Sequence, residues 1–354
     1  MKTKSKKRVM VAMSGGLDSS VAAALLKKSG RFEVVGVFMK FWSEEKGPKA
    51  ENRCCSSESE SRARQVAARL SIPFYVLDFK REFKKRVVEV FLKDHQMGLT
   101  PNPCVLCNKE IKFGLLLEKG LKMKADILAT GHYARIKKTN KGHVIQKAKD
   151  KEKDQSYFLW RLSQNQLEHV VFPVGNYKKS QIRLMAKRLK LPVTDIPESQ
   201  EICFIPKDVN SFLKRHLKVK PGKIVDKDKK TLTLHSGLFF YTIGQRKGLG
   251  LPGGPFYVMD KDLRKNLLVV TKNKKDLLKK EVLLRDVNWM IKGKPRGSLS
   301  VKVRYRTKGA LADFKTFGKN KVKLYFKTGQ QAVCPGQSAV LYKGEDLVAG
   351  GIIC

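Results

Sequence analysis

The chain has 354 residues, with 74 Lys and Arg against 32 Asp and Glu, a net charge of +42. That length supplies two or three domains with real cores, and the charge points to a polyanionic partner, nucleic acid first, bound with strong salt dependence. No apolar run is long enough to cross a bilayer, and "VMVAM" in the basic N-terminus is too short for a secretory signal, so a soluble cytoplasmic protein without structural disulfides is expected.

The first part of the chain alternates apolar runs with helical patterns, the mark of a parallel α/β sheet. "RVMVAM" (8–13) reads as a strand and "DSSVAAALLKK" (18–28) as the helix after it. "FEVVGVFM" (32–39), "IPFYVLDF" (72–79) and "ADILATGHYA" (125–134) supply three more strands, and "ESRARQVAARL" (60–70) a helix. Phe83, Val87, Val90 and Phe91 form the inner stripe of another helix, and Ile182, Leu184, Met185 and Leu189 the apolar face of a helix over 177–192. Past Pro206 the composition changes. Gly and Pro cluster in "YTIGQRKGLGLPGGPFYVMD" (241–260), and short alternating strands follow in "SVKVRYR" (300–306), "KVKLYF" (321–326) and "SAVLY" (338–342). Three units are expected: α/β over 1–207, a small connector over 208–278, and a C-terminal β-barrel over 279–354.

Between the first strand and helix stands "VAMSGGLDSS". Gly15 and Gly16 permit close backbone approach, Ser14 and Ser19 offer hydroxyls, and the helix N-terminus adds N–H groups and a positive dipole end. This is an anion site, and phosphate is its natural ligand. The Gly-Lys-Ser/Thr ending of the common P-loop is missing, and the glycines do not have dinucleotide-fold spacing.

The seven cysteines are Cys54, Cys55, Cys104, Cys107, Cys203, Cys334 and Cys354. Cys104 and Cys107 are three apart in "PNPCVLCNKEIKFG", and no second pair with that gap exists to complete a zinc site. None of the six histidines pair at metal-ligand spacing. Cys54 and Cys55 sit in a polar stretch and read as incidental. Cys334 and Cys354 read as small apolar core residues or exposed ends.

The Ser-Gly-Gly-x-Asp-Ser string resembles the loop of the ATP-pyrophosphatases. With "PNPCVLCNKEIKF", "ATGHYA", "KDQSYFL" (153–159), "ESQEICFIP" (198–206) and "YTIGQRKGLG", the sequence resembles the tRNA-specific 2-thiouridylase family over essentially its whole length. The resemblance implies a doubly wound, mostly parallel sheet. It implies an ATP site made by Ala12, Met13, Ser14, Gly15, Gly16, Leu17, Asp18 and Ser19, with Met39 bordering the adenine, Gly131 over the nucleotide, and Asp18 at a Mg²⁺–pyrophosphate end. Cys107 becomes the nucleophile and Cys203 the persulfide carrier, ending as a disulfide that needs an external reductant. Basic surroundings and Lys109 would favour the thiolates. The family places an aspartate where this chain has Cys104, which puts the acid–base role of that position in doubt. Cys104, Cys107 and Cys203 also make three thiolates, enough for a [4Fe–4S] cluster with one open iron, as in related thiolases.

By the same resemblance, Asn102, Pro103, Cys104, His132, Lys153, Asp154, Gln155, Arg304, Tyr305 and Gln337 contact tRNA. Strand alternation in "VKVRYR" sets Arg304 opposite Tyr305, a pair suited to loop recognition by charge and stacking. Sulfur is expected from a partner protein's persulfide, a cysteine desulfurase or a relay. Two other readings stand beside this one. The first is an ATP-binding basic RNA-binding protein without catalysis. The second is another ATP-pyrophosphatase, such as a lysidine synthetase, which has no use for the two cysteine strings.

Overall fold

A computed structural model of the protein describes residues 6–44, 56–194 and 202–354, apart from Lys292, Lys294 and Lys319. Cys54 and Cys55 lie outside the described residues. Strand β1 (Lys7–Ala12) is the centre of the first sheet. Val9 and Val11 are fully buried and Met10 nearly so, as a strand covered on both faces requires. A Gly-rich turn leads into α1 (Leu17–Lys28), whose Asp18 and terminal Lys27 and Lys28 complement the helix dipole. Next come β2 (Phe32–Lys40), α2 (Ser57–Arg69) and β3 (Phe74–Asp78). Ser56 caps α2 by accepting from the Ser59 N–H at 3.1 Å.

Two helical runs follow, each carrying π-helical turns. The first is α3 (Lys80–Phe83), a π turn over Lys84–Val88, and α4 (Glu89–Gln96). The second is α5 (Pro103–Cys107), a π segment over Asn108–Leu115, and α6 (Leu116–Lys122). The π turn shifts the phase of the apolar stripe. Val90, expected to face inward, is therefore 38% exposed, and Val88 is buried in its place.

The unit continues with β4 (Ile127–Thr130), a hairpin of β5 (Ala134–Thr139) and β6 (Gly142–Lys147), α7 (Gln164–Leu167), β7 (Val170–Val171) and α8 (Lys179–Arg188). Leu184 is the second departure. It is 55% exposed, because a 3.6-residue turn puts it opposite Ile182 and Ala186. The sheet order is β3-β2-β1-β4-β7, all parallel. Val9 and Val11 face a core with α1, α2 and α8, whereas Met10 and Ala12 face the core beneath the π-containing helices. The sheet is doubly wound, as expected. Its connections reverse between β1 and β4, the switch point where open α/β sheets bind ligands.

Beyond α9 (Val209–His216), a small sheet is ordered β10-β11-β8-β9, from β8 (Gly222–Val225), β9 (Thr231–His235), β10 (Tyr257–Asp262) and β11 (Leu267–Thr271). The remaining strands are β12 (Leu278–Trp289), β13 (Leu299–Lys302), β14 (Ala310–Phe317), β15 (Lys321–Gln331), β16 (Ser338–Lys343) and β17 (Asp346–Ile353). They close into a barrel because β12 pairs with both β15 and β17. Strand β13 stops at Lys302, so Arg304 and Tyr305 are not cross-sheet neighbours. They lie in a turn closed by the Arg304 carbonyl, which accepts from the Thr307 hydroxyl at 2.8 Å.

The first unit reaches into the barrel sheet, where β6 pairs beside β17. Trp160 is fully buried against Gly350, where a Cβ would sit 2.4 Å from the indole. The Tyr157 hydroxyl donates to the Ser338 carbonyl at 2.8 Å, and the Trp160 indole N–H to the Ser338 hydroxyl at 3.0 Å. No helix among the described residues is long and apolar enough to cross a membrane.

Candidate active site

Ala12 through Ser19 wrap the end of β1. Gly15 has φ +71°, and a Cβ there would fall 2.1 Å from the Ser59 carbonyl oxygen, so only glycine fits. The Ser14 N–H donates to the Ser19 Oγ at 3.1 Å, and the Ser19 and Ser20 hydroxyls donate to the Gly16 carbonyl at 3.1 and 2.8 Å. Arg62 Nε donates to the Gly15 carbonyl at 3.3 Å. Gly131, just past β4, lies against the first turn of α1, where a Cβ would sit 2.6 Å from the Ser19 nitrogen. Met39 stands half-buried near the end of β2. The predicted nucleotide residues thus gather at the carboxyl ends of β1, β2 and β4, around a helix N-terminus that favours anions.

Two partners here have no signal in the sequence. Lys179, from α8, places its ammonium 2.7 and 2.8 Å from the two carboxylate oxygens of Asp18. The Tyr133 hydroxyl donates to Asp18 Oδ1 at 2.8 Å. A lysine opening an amphipathic helix looks solvated in the sequence, yet this one is 6% exposed.

Cys104, Cys107 and Cys203 form a second group, within electrostatic range of one another. Asn102 caps α5 by accepting from the Val105 N–H at 3.4 Å, with Pro103 at the first helical position. Three-residue spacing puts Cys104 and Cys107 on one helix face. Cys104 is exposed, Cys107 buried and Cys203 half-buried, and none of them is in a disulfide. Cys203 is positioned by its neighbours Phe204 and Ile205, which are 1% and 2% exposed. The Phe204 ring packs on Phe91 at 5.4 Å, Phe212 at 5.6 Å and Phe83 at 5.7 Å. This anchoring brings Cys203 into electrostatic range of both Cys104 and Cys107.

Burial, the largest influence, pushes the Cys107 thiol up to about 12. The Lys112 ammonium opposes that shift, and Cys203 and Cys104 add to it. Crowding by protein and then Cys203 push Cys104 up in the same way, and the Lys112 charge opposes them. The expectation of resting thiolates favoured by Lys109 is therefore corrected. Lys109 pairs with Glu110 at 3.2 Å, and Lys112 is the cation that acts on the thiols. Among the described residues, no three His, Cys, Asp or Glu side chains are grouped so as to hold a metal ion.

The expected tRNA contacts divide into two sets. His132 accepts or donates at Nδ1 with the Thr130 hydroxyl at 2.7 Å, between the rings of Phe113 and Phe172. Burial first, then the Lys112 charge, holds its pKa well below the ordinary value, so it is a neutral imidazole. Asp154 is 4% exposed, and its oxygens accept from the Ala148 N–H at 3.0 Å and the Ser156 hydroxyl at 3.1 Å. These bonds make it an internal brace of the turn that carries Lys153 and Gln155. Gln155 Oε1 accepts from the Tyr133 N–H at 2.9 Å, and Lys153 is half-buried beside it.

Arg304 donates to the Ile243 carbonyl at 3.1 Å and to Cys334 Sγ at 2.7 Å. The Tyr305 ring lies 4.4 Å from Phe158. Gln337 donates to the Thr100 and Pro101 carbonyls at 2.9 and 3.3 Å, tying the barrel to the loop before Cys104. Cys334 is buried and Cys354 exposed.

Residues 7–207 match the family described as tRNA methyl transferase HUP domain, 210–272 the tRNA methyl transferase PRC-barrel domain, and 279–353 the aminomethyltransferase beta-barrel domain. A protein of Thermoanaerobacter sp. (strain X514) named tRNA-specific 2-thiouridylase MnmA 2 is 45% identical, over 98% of this chain and 97% of its own length. One of the same name in Clostridium tetani is 45% identical over 98% and 99%. In Clostridioides difficile, tRNA-specific 2-thiouridylase MnmA is 42% identical over 98% of each. The domain descriptions speak of methyl transfer and the full-length relatives of thiolation, and similarity sustained from end to end decides between them: the chain belongs to the tRNA-specific 2-thiouridylase family.

Proposed function

We propose that this protein is a tRNA sulfurtransferase that replaces O2 of a uridine with sulfur at the expense of ATP. The observation that best supports this reading is that Cys203 lies within electrostatic range of Cys107. Lys112 acts on both Cys107 and His132, and Gly131 touches the turn that carries Asp18 and Ser19.

The uridine O2 attacks the α-phosphorus of ATP, pyrophosphate leaves, and the N3 proton is lost. The carbonyl oxygen is now a good leaving group. A partner's persulfide passes its outer sulfur to Cys203. Cys107 attacks the inner sulfur of that Cys203 persulfide, releasing hydrosulfide and forming the Cys107–Cys203 disulfide. The hydrosulfide adds to C2 and AMP departs, leaving 2-thiouridine. A dithiol reductant then restores both cysteines. Cys107 rests as a protected thiol until Lys112 and the arriving substrate favour its anion.

Asp18 is the carboxylate at the loop, and it fits a Mg²⁺ held mainly by ATP phosphates, since this ion takes one or two carboxylates and keeps other oxygen ligands. The +42 charge suits the tRNA body, and the wobble uridine of Lys, Glu and Gln anticodons is the proposed target. The working division is 1–207 for chemistry, with 208–278 and 279–354 gripping RNA. The sulfur donor is a cysteine desulfurase or its relay, and the site of action is the cytoplasm.

The test is anaerobic purification with iron and acid-labile sulfide analysis, then a thiolation assay that also counts AMP and pyrophosphate. Thiolation without iron, with one AMP per sulfur, is the expected result. Activity that follows iron content would replace the disulfide cycle with cluster chemistry, and tRNA binding without AMP formation would leave only an RNA-binding protein.

A further inference from the structure

Lys179 has no part in the chemistry above, yet its placement is specific. It opens α8 with its backbone N–H donating to Asp150 Oδ2 at 2.9 Å, and its side chain is 7% exposed. The ammonium meets both oxygens of Asp18 and lies 5.6 Å from the centre of the Tyr133 ring. Asp18 is the second residue of α1, beside the amides of the anion loop. An unpaired carboxylate there would repel a polyphosphate, and the lysine cancels that repulsion in the ligand-free protein. A nucleotide that carries a divalent ion brings a cation and phosphate oxygens together. Each member of the pair then gains a new partner, and no buried charge is left alone.

We infer that Lys179 is a phosphate-contacting residue of the ATP site, held on Asp18 in the free protein and exchanged onto the phosphate chain when ATP arrives with its ion. This rests on the ATP-dependent reading given above. Calorimetric titration with α,β-methylene ATP plus Mg²⁺, and with adenosine, tests it on wild type, K179M, D18N and the double variant, with a thermal melt of each. K179M is expected to lose at least about tenfold in affinity for the triphosphate, the scale of a charge-assisted hydrogen bond, while adenosine binding stays unchanged.

The double variant regains the wild-type melting temperature, since no lone charge remains, but stays as weak as K179M toward the triphosphate. If it binds the triphosphate as well as D18N alone does, Lys179 only neutralises Asp18 and the inference falls. Should K179M fail to fold, the double variant against D18N makes the same comparison. Wild-type protein that does not bind the triphosphate would overturn the ATP reading itself. Wild-type binding that survives K179M would overturn only the role of Lys179.

Discussion

The phosphate end and the sulfur end of this site are built in opposite ways. The phosphate end is local: one turn, the start of one helix, and Gly131 laid across them. Its working groups are backbone N–H dipoles, which need no activation. The sulfur end is assembled from α5, the π segment after it, and the stretch around Cys203, held together by the rings of Phe83, Phe91, Phe204 and Phe212. Its working groups are thiols, and burial keeps that of Cys107 protonated. An anion cradle can be prepared permanently, whereas a reactive sulfur is better kept dormant until its substrate is seated.

That contrast can be broken by experiment. Cys203→Ser should abolish 2-thiouridine, a loss of at least about 10³-fold as for removal of a covalent catalyst, yet leave ATP affinity intact. Nucleoside mass spectrometry and nucleotide titration read the two ends separately, and loss of both would refute their independence. Phe204→Ala should cost about 3–5 kcal/mol of stability by denaturant melt, with thiolation falling further than ATP binding.

Acid should open the sulfur end first. His95 packs on Phe91 at 4.6 Å, and burial, then the Lys261 charge, lowers its pKa to about 4. Its folded value lies below its unfolded one, so the stability it confers is complete above about pH 6.5 and drains away as pH falls toward 4, by about 3 kcal/mol in all. His95→Phe should flatten that slope in pH-dependent melts. Gly15→Ala forces a side chain into the left-handed region and onto Ser59, costing about 1–3 kcal/mol and ATP affinity, with cysteine reactivity unchanged. The smallest effect is expected of Gln337→Ala, about 1 kcal/mol for its lost hydrogen bonds, seen as a modestly higher KM for tRNA at constant kcat.

What the sequence revealed follows the same division. The phosphate end is contiguous, so "SGGLDSS" could be read directly, as could the strand before it and the helix after it. Lys179 could not, because it reaches Asp18 across 161 positions and looks like any lysine of a polar helix face. Val90 was misplaced because a π turn breaks the helical period that stripe reading assumes. Arg304 and Tyr305 were misplaced because alternation does not show where pairing stops. The burial of Asp154 leaves no local trace, since it depends on Ala148 and Ser156 folding back over it. The proposed partnership of Cys107 with Cys203 came from resemblance, and the aromatic rings that anchor the Cys203 stretch became visible only in three dimensions.

The hairpin of β5 and β6 has a practical consequence for anyone dissecting this enzyme. A fragment stopping at residue 207 would carry two strands away from their sheet, uncover Trp160, and free the loop before Cys104 from its Gln337 tether. Such a piece would expose a sticky, unpaired border and aggregate. The front and back halves must be made, and inherited, as one.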